Sequence, residues 1–205
     1  MDAFVERPRR LLDIAGAPRH PSPLAASALV VIDAQLEYLT GALPLKGIDA
    51  AVCEARRVLD RCREHGVPVF HVVHHGRAGA AAFDPQGPYA GFIPPLAPIA
   101  GETTIVKSLP NAFAKTMLHE ALQATGRKEL VIVGFATHMC VSATARVALD
   151  LGYRTTIVAA ATATRDLPSA SGDRVTPAEV VFEGTLAALA DRFAVVVPDA
   201  AALER

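Results

Sequence analysis

Six short apolar runs punctuate the chain, and amphipathic stretches separate most of them. ALVVID (28–33), VPVFHVVHH (67–75), TTIVK (103–107), ELVIVGF (129–135), RTTIVAAAT (154–162) and AVVVP (194–198) are short and mostly rich in β-branched residues, so they read as strands. Near-continuous apolarity, rather than alternation, marks strands covered on both faces. GIDAAVCEARRVLDRCREHG (47–66) places Ile48, Val52, Ala55, Leu59 and Cys62 at helical spacing, and Gly66 closes it. AKTMLHEALQATG (114–126) predicts a helix with Met117, Leu118, Ala121 and Leu122 inward. A further helix is expected from Met139 to Leu151. TPAEVVFEGTLAALADRF (176–193) predicts another, with Thr176 as N-cap and Pro177 at its first helical position.

Strands alternating with helices predict an α/β protein: one domain of three α/β/α layers, with a six-stranded, mainly parallel, Rossmann-like sheet and helices on both faces. The domain is expected over 27–205, behind an arm (1–26) rich in Pro and Arg that packs on the surface or on a neighbouring subunit. The segment 76–101 is too long for an ordinary connection, and connections beyond about 12–15 residues are usually functional or disordered. It carries Phe83, Tyr89 and Phe92, and reads either as an ordered lid or subunit contact, or as a structural wrap.

Composition changes this picture mainly by exclusion. Over 205 residues the net charge is −1, with 20 basic against 21 acidic side chains, so nothing points to nucleic acid or an anionic membrane as partner. Cys53, Cys62 and Cys140 are odd in number and lack metal-ligand or C-x-x-C spacing, which fits a reducing, cytoplasmic compartment. The first residues lack the apolar core of a signal peptide, and no apolar stretch reaches the roughly 20 residues of a membrane span. The dinucleotide, P-loop and serine-elbow motifs are absent.

In an open parallel sheet, ligands bind beyond the carboxyl ends of the strands. Asp33 stands at the first such end, His74 and His75 at the second, and Lys107 at the third. The fourth runs into GFATHMCVS (134–142), which carries Thr137, His138 and Cys140 into a helix start. Each has a structural alternative: a cap for Asp33, a solvated strand end for Lys107, a small apolar plug for Cys140. Together they bring an acid, an amine and a thiol to one edge. A cation and a helix N-terminus favour a thiolate, while a carboxylate and burial oppose it. The expectation is a Cys140 thiolate at neutral pH, with a pKa below the reference of about 8.5.

VVIDAQLEYL, IVKSLPNAF and GFATHMCVSATARVALDLGYRTTIVAAATATRD resemble the isochorismatase-like cysteine hydrolases, which include nicotinamidases, N-carbamoylsarcosine amidases and ureidoacrylate amidohydrolases. The resemblance extends over about residues 28–198. It implies Cys140 as nucleophile, Asp33 as general base and Lys107 as the cation between them. It also implies a non-proline cis peptide at Phe135–Ala136, aiming the N–H of Ala136, with that of Cys140, at an oxyanion. Tyr38, Phe113, Phe135 and His138 are the expected pocket walls, and for Tyr38 and Phe113 core packing is an equal alternative.

The metal-binding nicotinamidases carry an Asp-x-His pair, which occurs nowhere here, and His71, His74 and His75 on one strand cannot all face one side. No metal or other cofactor is therefore expected. The expected function is cysteine-dependent hydrolysis of a C–N bond in a small amide, ureido or carbamoyl substrate, by a homo-oligomer. An ether or ester hydrolase of the isochorismatase kind, and a catalytically silent binding or assembly module, are the alternatives. The intact Asp33, Lys107 and Cys140 argue against the last.

Overall fold

The computed structural model describes residues 8–204. Its strands are β1 (Ser27–Ile32), β2 (Val69–His74), β3 (Thr103–Lys107), β4 (Glu129–Phe135), β5 (Arg154–Ala163), β6 (Leu167–Pro168), β7 (Val175–Thr176) and β8 (Val195–Val197). Six of them form one parallel sheet in the order β3-β2-β1-β4-β5-β8; β6 and β7 form a separate antiparallel ribbon. The α-helices are α1 (Leu11–Ile14), α2 (Ile48–Glu64), α3 (Leu118–Ala124), α4 (Ser142–Asp150) and α5 (Ala178–Arg192).

The apolar runs are continuous because both faces are covered. In β1, Leu29 and Val31 join the core with Ala55, Val58, Leu59 and Cys62 of α2. Ala28, Val30 and Ile32 join the opposite core with Leu118 and Leu122 of α3, Ala145 and Ala148 of α4, and Leu189 of α5. Each large aliphatic side chain so buried contributes about 1.5–3 kcal/mol. Gly66, at φ +63°, follows α2 in the left-handed conformation that ends helices.

The structure departs from the sequence reading in several places, and α4 itself starts at Ser142 rather than Met139, behind the Thr137–Val141 turn. Met117 is 72% exposed and lies outside α3, because residues before it are held in turns: Lys115 has φ +57° and Thr116 Oγ1 donates to the Ala112 carbonyl. Thr176 does not cap α5. It belongs to β7, Pro177 takes the N-cap position, and Asp166 Oδ1 accepts the Ala178 N–H at 2.9 Å. The β6–β7 ribbon itself was outside the expectation.

The arm is described from residue 8, and residues 1–7 of the expected arm lie outside the described residues. It packs on its own domain: Leu11 N–H donates to Asp191 Oδ1 on α5, and Ser22 N–H donates to the buried Thr156 Oγ1 on β5. The 76–101 segment also folds back. Ile93 N–H donates to the Ala34 carbonyl, Leu36 N–H to Gly91 and Glu37 N–H to Tyr89. Its return end is tied by Glu102, which accepts from Arg63 at 2.7 and 2.9 Å and pairs with His71 Nε2 at 2.8 Å. Burial opposes the charge on Glu102, yet these partners and the Ile99 N–H hold its carboxyl at about 2.

Candidate active site

The strand order explains where side chains can meet. From β1 the sheet grows through β2 and β3 on one side and through β4, β5 and β8 on the other, so the β1/β4 boundary is the switch point where a crevice opens. Asp33 leaves β1 there, with φ +46°, a left-handed conformation that Asp tolerates better than most residues. Cys140 arrives on the other side, in a wide helical turn (Thr137–Val141) that leads from β4 into α4. Gly134 lets the two strands pinch together: at φ +109°, a Cβ would lie 2.0 Å from the Ile32 carbonyl oxygen. The Phe135–Ala136 peptide that follows is cis.

Lys107 comes from β3, two strands away from β1. Its Nζ donates to Asp33 Oδ2 at 2.8 Å and to Cys140 Sγ at 3.2 Å, and lies 3.0 Å from His74 Nδ1. Asp33, Lys107 and Cys140 are 0%, 2% and 4% exposed. Asp33 Oδ1 is buried with no hydrogen-bond partner among the described residues, which leaves it open to a proton. Burial pushes the Asp33 carboxyl up against the pull of Lys107. Burial, and then the neighbouring Asp33, push the Cys140 thiol up to about 12, also against Lys107.

Burial thus acts against the expected resting thiolate. The crevice end is a dry environment, and desolvation outweighs the ammonium. Burial favours the neutral forms of both Cys140 and Asp33, and the single ammonium of Lys107 pulls both the other way, so the pair titrates as a unit. Since the thiol titrates far above neutrality, its thiolate fraction grows tenfold per pH unit. The rate of Cys140 alkylation by iodoacetamide should accordingly climb about tenfold per unit from pH 6.5 to 8.5, read by peptide mass spectrometry. A flat profile would restore the resting thiolate.

His74 was placed at a strand end by the sequence but not joined to this group. Burial, then Lys107 and His75, hold its imidazole down at about 4, so it is neutral near pH 7. Because an ammonium only donates, Nδ1 is the acceptor and the proton resides on Nε2. The ligand atoms of Asp33, His74 and Cys140 lie within 4.8 Å of one another, a donor set of zinc-binding type. Lys107 Nζ is in hydrogen-bond reach of all three, so the protein's own cation takes the place between them.

Of the residues expected to line a pocket, Tyr38 and Phe135 are buried together in the core. The Tyr38 ring meets Phe135 at 6.2 Å and Phe83 at 5.3 Å, both edge-on. Burial, then Asp33 and Cys140, raise the pKa of its hydroxyl. His138 turns toward β5, where its Nδ1 lies 2.5 Å from Thr164 Oγ1. That hydroxyl borders a separate surface cavity of about 310 Å³, walled by Lys46, Thr162, Phe182 and Glu183, which contains none of the Asp–Lys–Cys group. Phe113 takes the core alternative: it stacks on Tyr153 at 6.0 Å and meets His119 at 6.4 Å, near the opposite end of β5.

The sequence reading did not bring Phe83 to this group. Its ring lies 4.8 Å from the His74 imidazole. Its N–H donates to Glu37 Oε2, and Gly76 N–H donates to its carbonyl, at a φ of +54° that is costly for an aromatic residue. Glu37 also accepts the Ala42 N–H, so this buried acid ties the Phe83 backbone to the turn after Tyr38.

Fold and site together define a doubly wound α/β protein with an acid, an ammonium and a thiol buried at its switch point. The chain belongs to the isochorismatase family: the Isochorismatase domain matches residues 27–176. The chain is similar to a secreted isochorismatase effector, Isc1, of Verticillium dahliae, with 36% identity over 89% of this chain and 93% of that one. It is 32% identical to a maleamate amidohydrolase of Pseudomonas putida, over 64% of this chain and 69% of that one. The crystal structure of an isochorismatase from Pseudomonas putida KT2440 superposes with a TM-score of 0.89 at 46% identity, over 96% of this chain and 99% of that one. The protein is thus a member of a family of hydrolases with amidohydrolases among its relatives.

Proposed function

We propose that this protein is a cysteine-dependent hydrolase that cleaves the C–N bond of a small amide, ureido or carbamoyl compound through a thioester. The observation that carries the reading is Lys107 Nζ bridging Asp33 and Cys140 in a buried group. A nucleophile needs an adjacent base, and a thiol resting protonated beside a carboxylate is such a pair. The amidohydrolase relative favours C–N cleavage over the ether or ester alternative.

In this mechanism Asp33 takes the thiol proton as Cys140 Sγ bonds to the carbonyl carbon. The negative charge moves from the carboxylate to the carbonyl oxygen, with Lys107 keeping its place beside both partners. Backbone N–H groups of Ala136 and Cys140 are the proposed oxyanion donors, each worth about 3 kcal/mol. Collapse breaks the C–N bond, and Asp33 returns the proton to the departing amine. Asp33 then accepts a proton from water as the hydroxide adds to the thioester carbon, and cleavage of the C–S bond releases the sulfur, which takes the proton back from Asp33 and becomes the thiol again. Tyr38, Phe83 and Phe135, whose rings meet edge-on, are the proposed aromatic walls, which would suit a flat or apolar acyl group.

A panel of small primary amides, ureido acids and carbamoyl amines, assayed by ammonia release, tests the reading. Turnover of at least one, with an acyl adduct on Cys140 in rapid-quench mass spectra, is the expected result. Release of ammonia with no adduct would remove the thioester from the mechanism.

The assembly is proposed to be a homo-oligomer. Helix α5 leaves apolar side chains open: Val180 is 58% exposed, and Ala187 and Ala188 face solvent. Such residues on one helix offer a surface for a second copy. Light scattering should give at least twice the 21.5 kDa of one chain, and a monomer at micromolar concentration would refute it. Among the described residues, no helix is long and apolar enough to cross a membrane. The three free thiols fit a cytoplasmic setting, although the Verticillium relative is named a secreted protein.

A further inference from the structure

Lys107 has to reach Asp33 across an intervening strand. Neighbouring strands lie about 4.8 Å apart, so β3 and β1 are separated by roughly 10 Å with β2 between them. The residue at the crossing is His74, which is the register partner of Lys107 in the β2–β3 ladder. Register partners in a parallel ladder point to the same face. The ammonium has three hydrogens, and in a buried site each needs an acceptor. Asp33 Oδ2 and Cys140 Sγ supply two, and His74 Nδ1 is the third.

We propose that His74 is the positioning residue of this site: its neutral imidazole accepts the third ammonium hydrogen and holds Lys107 Nζ between carboxylate and thiol. Contacts to the main chain and to the ring hold His74 in turn. Gln35, wholly buried, accepts the His74 N–H at 2.7 Å and donates to the His74 carbonyl at 3.1 Å and to Ala90 at 2.9 Å. Phe83 packs against the ring. The charged and titratable groups around His74 are Lys107 and His75, with Asp33 and Cys140 beyond the ammonium. Without the acceptor, Nζ would be free to swing toward Asp33 alone, and the thiol would lose its nearest positive charge.

The inference rests on the amidase reading for its turnover readout only. His74→Phe keeps the ring against Phe83 but removes the acceptor. His74→Asn is smaller but returns an acceptor oxygen close to the Nδ1 position. The Gln35 bracket holds main-chain atoms and persists in both. Iodoacetamide labelling of Cys140 at pH 8 needs no substrate and reads the placement of the ammonium directly. His74→Phe should label about tenfold more slowly, the effect of one pKa unit on the thiolate fraction, and His74→Asn within about threefold of wild type. On an authentic amide, kcat should follow the same order while KM stays within about threefold. A His74→Phe protein that labels at the wild-type rate, or two variants equally slow, would overturn the proposal. If labelling follows the expected order but wild type hydrolyses no amide, the amidase reading fails and the positioning role stands.

Discussion

Replacing Cys140 by serine should lower amide turnover at least about a thousandfold with little change in folding, as lost nucleophiles generally do. Serine fits the space and can take the same hydrogen bond from Lys107. It cannot take over the chemistry. A hydroxyl gives up its proton far less readily than a thiol, and a carboxylate is too weak a base to remove it from the ground state. The other thiols serve as internal controls. Cys62 is fully buried in the α2 core, so Cys62→Ala should cost stability and leave kcat unchanged. Cys53 is exposed, and its replacement should do neither. Matched urea melts and ammonia-release assays separate these outcomes. Retained turnover in Cys140→Ser on a confirmed substrate would rule out the thioester route.

Lys107→Met should abolish turnover and also destabilise the protein by about 3–5 kcal/mol, the usual cost of orphaning a buried charge. The pair it breaks is fully buried, with 0% side-chain exposure on both partners. The Asp33 carboxyl, already raised by burial, then loses the group that pulls it down. A carboxyl raised in the folded state weakens folding as pH rises through its unfolded value of about 4 and above. The stability deficit of Lys107→Met should therefore shrink as pH falls toward 4, the opposite of a deficit caused by lost packing. Combining Lys107→Met with Asp33→Asn removes both charges and should recover most of the lost stability at pH 7 but none of the activity. Recovered activity in the double variant would separate the ion pair from the chemistry.

Much of this was legible in the sequence, for identifiable reasons. The strands announced themselves because a parallel sheet covered on both faces needs unbroken apolar runs, as in β1 and β4. Helix α2 was equally plain, since one stripe faces the sheet and arginines line the other side. Helix α3 was over-extended because Met117 matches the apolar spacing, while the turn before it is set by Lys115 and Thr116, which carry no such signal. The β6–β7 ribbon comprises two-residue strands, below any periodicity. Asp33, Lys107 and Cys140 could be named from their places at strand ends. His74 could be listed there too, but its partnership with Lys107 depends on β2 lying between β3 and β1, an order that spacing alone does not give. The direction of the Cys140 shift was misjudged for a related reason. The helix start and the lysine are visible in the sequence, but the dryness around the thiol comes from packing by distant elements.

The position of Lys107 has one more consequence. Its strand, β3, is the outermost of the sheet and is joined to it through β2 alone, with Thr103, Thr104 and Val106 facing solvent. Edge strands detach at lower free energy than central ones. Asp33 and Cys140 are anchored in the middle of the sheet, whereas the cation that balances them hangs from its periphery. Fraying of a single strand would therefore silence the site while the rest of the protomer stayed folded. Amide protons of Ile105 and Lys107 should exchange faster than those of Val30 or Ile132. Activity should fade at urea concentrations below the cooperative transition, giving inactivation a threshold of its own.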